Sequence, residues 1–173
     1  LSIGSPVNTR FADLACRRVI LYHNVTPAHY FELINKQTAL TLARARPQIE
    51  ALAGTAHVNL ADSRFNAREL ERMGYRDVGV LPLVLDLERI HTPPDRAVLR
   101  AFEDDRPTLL FVGRGAPNKK IDDALRVFHC VLRAVDPRAR FVHVGSFAGT
   151  ERYRYLLEAQ VRALDIQIGR AHV

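Results

Sequence analysis

Tryptophan is absent, methionine occurs once, and 173 residues hold only two cysteines and three lysines. Cys16 and Cys130 stand far apart, in neither a metal-like nor a redox-like spacing. Free cysteine is usually a small core residue, so the sequence predicts two buried thiols in a reducing, cytoplasmic setting. No apolar run approaches the ~20 residues of a membrane span; the longest, RVILYHNV, breaks at a histidine and an asparagine. The sequence opens in mid-stream at Leu1, with no methionine and no basic-then-apolar signal from which targeting can be read. The phosphate loops with the strongest signatures are missing too. GRGAPNKK does not satisfy G-x-x-x-x-G-K-[ST], and no G-x-G-x-x-G opens a strand–helix unit. Runs of like charge are also lacking. The net charge of +6 comes from arginine, but the arginines alternate with acids, as in SRFNARELERMGYRD. Without a basic run or a basic stripe interleaved with aromatics, nucleic acid is not an expected partner.

What remains is a globular composition, 47% apolar with nine glycines and nine prolines, and a regular alternation of β-rich and helix-period segments. Ser5-Pro6 caps and starts a short helix to about Ala15, and RRVILYHN reads as a buried strand. Thr26-Pro27 repeats the cap-then-proline signal at the head of a long helical pattern to about Ala53, which Pro47 is expected to kink or split. TAHVNLADS is a strand, and Asp62 or Ser63 caps the helix RFNARELERM, stopped by Gly74. DVGVLPL is the next strand. HTPPDRAVLRAFEDDRP, rich in proline and charge, reads as a linker. A second series follows: strand TLLFVGR, then a helix with apolar residues at Ile121, Ala124, Leu125, Phe128, Leu132 and Val135. Strand ARFVHVGS and a helix capped by Thr150 complete it. Alternation at this spacing predicts an α/β fold with two parallel sheets covered by helices.

Chemistry concentrates in the turn after strand TLLFVG. In a parallel α/β sheet, ligands sit beyond the carboxyl ends of the strands. Gly113 and Arg114 leave the strand there, and Lys119 follows five residues later, near a helix start for which Asn118 is the expected cap. A helix N-terminus favours phosphate. Arg114 adds a rigid fork and Lys119 a mobile point charge, a combination suited to a diphosphate. The same spacing also fits a solvated turn, with Asp122 and Asp123 supporting the helix start.

The wider string LPLVLDLERI…LLFVGRGAPNKKIDDALRVFHCV…ARFVHVGS…GTERY resembles glycosyltransferases of family four, the group-1 type with the GT-B fold. ILYHNVTPAHYF and ADSRFNARELERMGY resemble the preceding part of the same proteins, so the resemblance runs from about Ser2 to Ile166. It implies parts of two Rossmann-like lobes, incomplete at both ends: residues 1–86 from the acceptor-side lobe, 87–107 as the inter-lobe linker, and 108–167 from the nucleotide-sugar-binding lobe. It implies transfer of a sugar, with retention, from a nucleotide-diphosphate sugar to a lipid-linked or glycan acceptor, without cofactor or metal. By resemblance Gly113, Arg114 and Lys119 hold the donor diphosphate. Lys120 stands where many members have glycine, so either lysine is a candidate. His23 is expected to contact the transferred sugar, with Asn24 beside it, although a role capping the Thr26-Pro27 helix fits the residues as well. Gly4, in SIGSP, is placed near the acceptor. His57, His91, His129 and His143 read as surface or core residues.

The family's pair of glutamates seven residues apart and its N-terminal glycine-rich loop do not occur in this sequence. The chain is therefore expected to be an interior fragment, inactive and aggregation-prone alone. Residues 168–173 equal one frame of a common sequencing-adapter read and are expected to be non-native. A basic balance tolerates an anionic membrane surface, which would place the protein at the inner face of the membrane. The rival expectations are a non-catalytic nucleotide-sugar-binding module and a GT-B epimerase or phosphorylase.

Overall fold

The structure is a computed structural model that describes residues 2–166; the suspected tail, 168–173, lies outside the described residues. The chain is α/β, with helices alternating with strands that form two small parallel sheets. It divides into two compact units, Leu1–Asp86 and Leu87–Val173.

In the first unit, the Ser5 hydroxyl accepts from the Val7 N–H at 3.2 Å and starts α1, Pro6–Arg10, which runs on into a 3-10 turn at Phe11–Asp13. Strand β1, Val19–Tyr22, follows. Thr26-Pro27 does not open a long helix. Ala28–Tyr30 makes a single 3-10 turn, and α2, Lys36–Ala51, begins only where the Asn35 side chain accepts from the Thr38 N–H at 3.0 Å. A real side-chain cap outranks a proline that lacks one. Nor does Pro47 split α2, which continues through it. The ~3 kcal/mol that an internal proline costs is met by packing on both sides, since Ala45 and Ile49 are fully buried. Strand β2, Val58–Ala61, leads to α3, Arg64–Arg72, where the Ser63 hydroxyl accepts from the Asn66 N–H. Gly74, at φ 92°, turns the chain after α3 toward β3, Val78–Val80.

The sheet order is β1-β2-β3, all parallel, with Val19 opposite Val58 and Asn59 opposite Val78. Its core gathers Ile20, Tyr22, Ile49, Ala61, Leu70 and Tyr75. The two buried phenols keep partners. Tyr22 donates to Glu69 at 2.8 Å and Tyr75 to the Ile49 carbonyl at 2.6 Å. Burial pushes the Tyr75 phenol up to about 12.

The second unit opens with two short helices, α4 at Leu87–Ile90 and α5 at Arg96–Arg100, the latter capped by Asp95. Strand β4, Thr108–Val112, a 3-10 turn at Pro117–Lys119, α6 at Ile121–Ala134, β5 at Arg140–Val144 and α7 at Glu151–Ala163 complete it. Strands β4 and β5 pair in parallel along their full length, Thr108 with Arg140 and Val112 with Val144. The proline-rich, charged stretch is fastened at this end by Arg140. Its guanidinium donates to Thr108 Oγ1 at 2.7 Å and Asp104 Oδ1 at 2.8 Å and lies 4.5 Å from the Phe102 ring centroid.

Helix α6 buries Ile121, Leu125 and Phe128 as one stripe, with Phe128 5.6 Å from the Phe141 ring. Cys130 falls off that stripe and is exposed, as is Cys16 ahead of β1. The expectation of two buried thiols is thereby corrected. Both faces of a parallel sheet are ordinarily covered, yet Leu110, Val112 and Val144 are 62, 71 and 52% exposed. Among the described residues no helix is long and apolar enough to cross a membrane.

Leu70 is fully enclosed in the first unit's core. Leu70→Ala is therefore expected to cost about 3 kcal/mol of stability, read from urea unfolding followed by circular dichroism. A loss below ~1 kcal/mol would show a site able to collapse, or a core other than this one.

Candidate functional site

Two groups of the expected residues lie at carboxyl ends of strands, one in each unit. In the second unit, β4 and β5 end at the same register, each on a glycine. Gly113 N–H donates to the Val144 carbonyl at 2.9 Å. A Cβ on Gly145 would lie 1.9 Å from the Gly113 carbonyl oxygen, and one on Gly115 2.2 Å from the Phe147 ring. The two loops therefore interlock only because side chains are missing at these points. Further bonds stitch them together. Gly115 N–H donates to Ser146 O at 2.9 Å, and the buried Thr150 hydroxyl donates to Gly115 O at 2.6 Å. Thr150, expected as a side-chain cap of α7, makes no cap hydrogen bond. Its hydroxyl serves the neighbouring loop instead.

His143, read from the sequence as surface or core, is built into the same edge. Its Nε2 lies 2.9 Å from the Gly113 carbonyl, which can only accept, so Nε2 carries the proton. Its ring sits between Phe111 at 5.8 Å and Phe147 at 5.0 Å. A histidine in mid-strand gives no sequence signal for this; it emerges only from the register of β5 on β4.

Arg114 projects from this platform and is exposed, with one N–H donating across to the Ala148 carbonyl at 3.1 Å. The guanidinium has five donors, and among the described residues it makes no ion pair. Lys119 ends the 3-10 turn, exposed, with no carboxylate within ion-pair reach among the described residues. Lys120 differs: its Nζ is 3.6 Å from Asp123 Oδ2. The start of α6 also departs from expectation. Asn118 lies inside the 3-10 turn, and the cap position belongs to Lys120, which is left-handed at φ 55° and ψ 40°. The first turn of α6 is partly closed to an anion. Asp122 N–H donates to Tyr153 Oη at 3.2 Å, and Asp122 and Asp123 bring negative charge. Anion affinity in this turn thus rests on the side chains of Arg114 and Lys119 more than on the helix end.

In the first unit, His23 and Asp62 are the residues that directly follow β1 and β2. Asp62 N–H donates to Tyr22 O at 3.2 Å, drawing the two strand ends together, and His23 Nδ1 lies 3.4 Å from Asp62 Oδ2. His23 does not cap a helix. Asp62, expected as a cap alternative to Ser63, does not cap either. Its Oδ1 accepts from Asn66 Nδ2 at 2.6 Å. Burial raises the Asp62 carboxyl, but hydrogen bonds from Asn66, Ser63 and His23 outweigh it and hold the group below the usual carboxylate range. Asn66 is 6% exposed, and among the described residues its Oδ1 has no partner. Asn24 follows His23 in the left-handed region, φ 76°, and turns the chain away. Gly4 sits elsewhere in this unit, against α2. A Cβ there would be 2.4 Å from the Thr41 carbonyl oxygen, so close backbone packing accounts for the glycine. Two surface hollows of this unit, one beside Asn8 and Gln48 and one beside His57 and Arg76, include none of these residues.

No family model matches the chain, and neither a curated protein nor a solved structure matches it.

The backbone of Lys120 yields a test independent of any ligand. A left-handed residue other than glycine costs about 1–2 kcal/mol. Lys120→Gly and Lys120→Ala both remove the ion pair with Asp123, so their difference isolates the backbone. The glycine variant is expected to be the more stable by about 1 kcal/mol in thermal unfolding. Equal stabilities would mean that Lys120 is not left-handed.

Proposed function

We propose that this chain forms part of a GT-B glycosyltransferase that uses a nucleotide-diphosphate sugar, with the turn Gly113–Lys119 holding the donor diphosphate. The observation that carries the reading is the second unit's sheet edge. There a rigid, glycine-interlocked platform presents Arg114 and Lys119 to solvent, neither paired with a carboxylate among the described residues. Building such cations on a braced loop limits the entropy lost when they grip an anion. A guanidinium fork and a mobile ammonium also suit the non-bridging oxygens of a diphosphate.

In this role, Arg114 and Lys119 offset the charge that grows on the diphosphate as the glycosidic bond to the sugar breaks. Preorganised cations of this kind contribute several kcal/mol to lowering a barrier. Lys120 plays the lesser part, its ammonium already near Asp123. His23, exposed at a strand end of the first unit and backed by Asp62, is the residue assigned to a hydroxyl of the transferred sugar, with Asn24 beside it. The acceptor in this reading is a lipid-linked or glycan precursor, met at an anionic membrane surface.

Charge-assisted hydrogen bonds contribute about 1.5–3 kcal/mol each. Arg114→Ala combined with Lys119→Ala is therefore expected to weaken nucleoside-diphosphate binding by at least ~100-fold in titration calorimetry against UDP, GDP and ADP. Lys120→Ala is expected to change it by no more than ~5-fold, in line with an exposed pair. If the double variant binds the best of these ligands as tightly as the parent chain, the diphosphate assignment is wrong.

A further inference from the structure

We propose that Asp62, braced by Asn66, is a positioning residue for His23, holding its imidazole as the Nδ1–H tautomer with Nε2 free to accept a hydrogen bond. As an aid to a sugar hydroxyl the role rests on the function proposed above; as a statement about His23 itself it does not.

Three observations converge on it. The first is placement. His23 and Asp62 close two adjacent parallel strands, in the register that pairs Tyr22 with Ala61, and Asp62 N–H bonds the carbonyl of Tyr22. The register sets the two residues side by side, and their side chains meet at 3.4 Å.

The second is donor logic. An ionised carboxylate can only accept, so the imidazole nitrogen that faces Asp62 must carry a proton. In the neutral ring that leaves Nε2 as the acceptor, and among the described residues nothing else bonds His23. The side chain is 37% exposed, so Nε2 can meet a ligand's O–H. A histidine oriented through one nitrogen by a carboxylate and working through the other is a recurrent arrangement at reactive sites.

The third is the brace. Asn66 is buried, and its amide orientation follows from Asp62: turned over, its oxygen would oppose the carboxylate at 2.6 Å. In the bonded orientation Asn66 Oδ1 is left without a partner among the described residues. A buried amide that leaves its acceptor unused in order to donate to Asp62 is out of place in a helix chosen only for packing. It is accounted for if the carboxylate must be held still. Asp62 and Asn66 stand four residues apart, one ahead of α3 and one in its first turn, so the helix supplies the rigidity.

The test is the tautomer of His23, read from the imidazole nitrogen shifts of the ligand-free chain by long-range nitrogen–proton correlation. This needs no activity. The parent chain is expected to show mainly Nδ1–H; mainly Nε2–H, the form ordinarily favoured in water, would overturn the proposal. Asp62→Asn keeps the shape and the bond from Asn66 but turns an N–H toward Nδ1, so His23 is expected to switch to mainly Nε2–H. Asn66→Ala is expected to lower the Nδ1–H fraction without abolishing it. A fraction unchanged in both variants would also overturn it. Because the donor-binding measurement with Arg114 and Lys119 concerns other residues, failure there and failure here are told apart.

Discussion

The close approach of two backbones at Gly113 and Gly145 is the constraint on which the second unit's edge depends. Parallel strands end together only if the chains that leave them find room, and here the room is the space of a missing Cβ, 1.9 Å from a carbonyl oxygen. With the loops this near, Gly115 bonds Ser146, Thr150 bonds Gly115, and Arg114 reaches Ala148. His143 then closes the underside on Gly113. An arginine on such a platform does not sample solvent as a free surface arginine does. One donor is already spent on orientation, and the rest of the fork points from a known place.

The first unit reaches a similar end by other means. Its edge is ordered by a side-chain relay, from Asn66 to Asp62 to His23, set on strands whose register brings positions 22 and 61 together. Glycine interlock yields a stiff cationic loop, whereas the relay yields a stiff imidazole. Cations suit a phosphate group, and an oriented acceptor suits a hydroxyl. The proposed function draws on both without requiring either unit to supply the other's chemistry.

Much of the fold was legible because its signals are local. Ser5 before Pro6, Ser63 before Arg64 and Gly74 after Met73 act within a few residues of where they stand, and each holds its expected place. Spacing likewise marks Ile121, Leu125 and Phe128 as the buried stripe of α6, whereas Val135, at the same spacing, lies past the helix end and is 75% exposed. The misreadings share a different character. Thr26-Pro27 lost to Asn35, Pro47 was overridden by the burial of Ala45 and Ile49, and the Thr150 hydroxyl went to a carbonyl 35 positions away. In each, a contact remote in sequence or a better local competitor decided the outcome. The site divides along the same line. Gly113, Arg114 and Lys119 were legible as candidates because they crowd one turn. Asp62 passed as a cap and His143 as surface or core because their partners, His23 and Gly113, are 39 and 30 positions off.

Backbone strain supplies an independent reason to look at these two edges. Among the described residues, four other than glycine lie in the left-handed region: Asn24, Asp77, Lys120 and Asp165. Asn24 directly follows His23, and Lys120 directly follows Lys119. Asparagine and aspartate tolerate this conformation through local hydrogen bonds, so three of the four are unremarkable as residue types. Lys120 is the one residue type among the four for which this conformation is unusual. An exposed ion pair with Asp123 contributes at most about 1 kcal/mol, no more than the strain costs. Strain of this size persists where the surroundings over-determine the conformation, and it clusters at ligand-binding segments. The turn at Lys120 is so determined: a 3-10 turn ends there, α6 begins, and Asp123 and Ala124 both donate to the Lys120 carbonyl. A relaxed Lys120 would shift the 3-10 turn and with it Lys119, which among the described residues has no ion-pair partner. On the proposed function, Lys119 stands one residue before this left-handed position, in the loop that Arg114 opens, and its ammonium rather than the acidic first turn of α6 meets the anion.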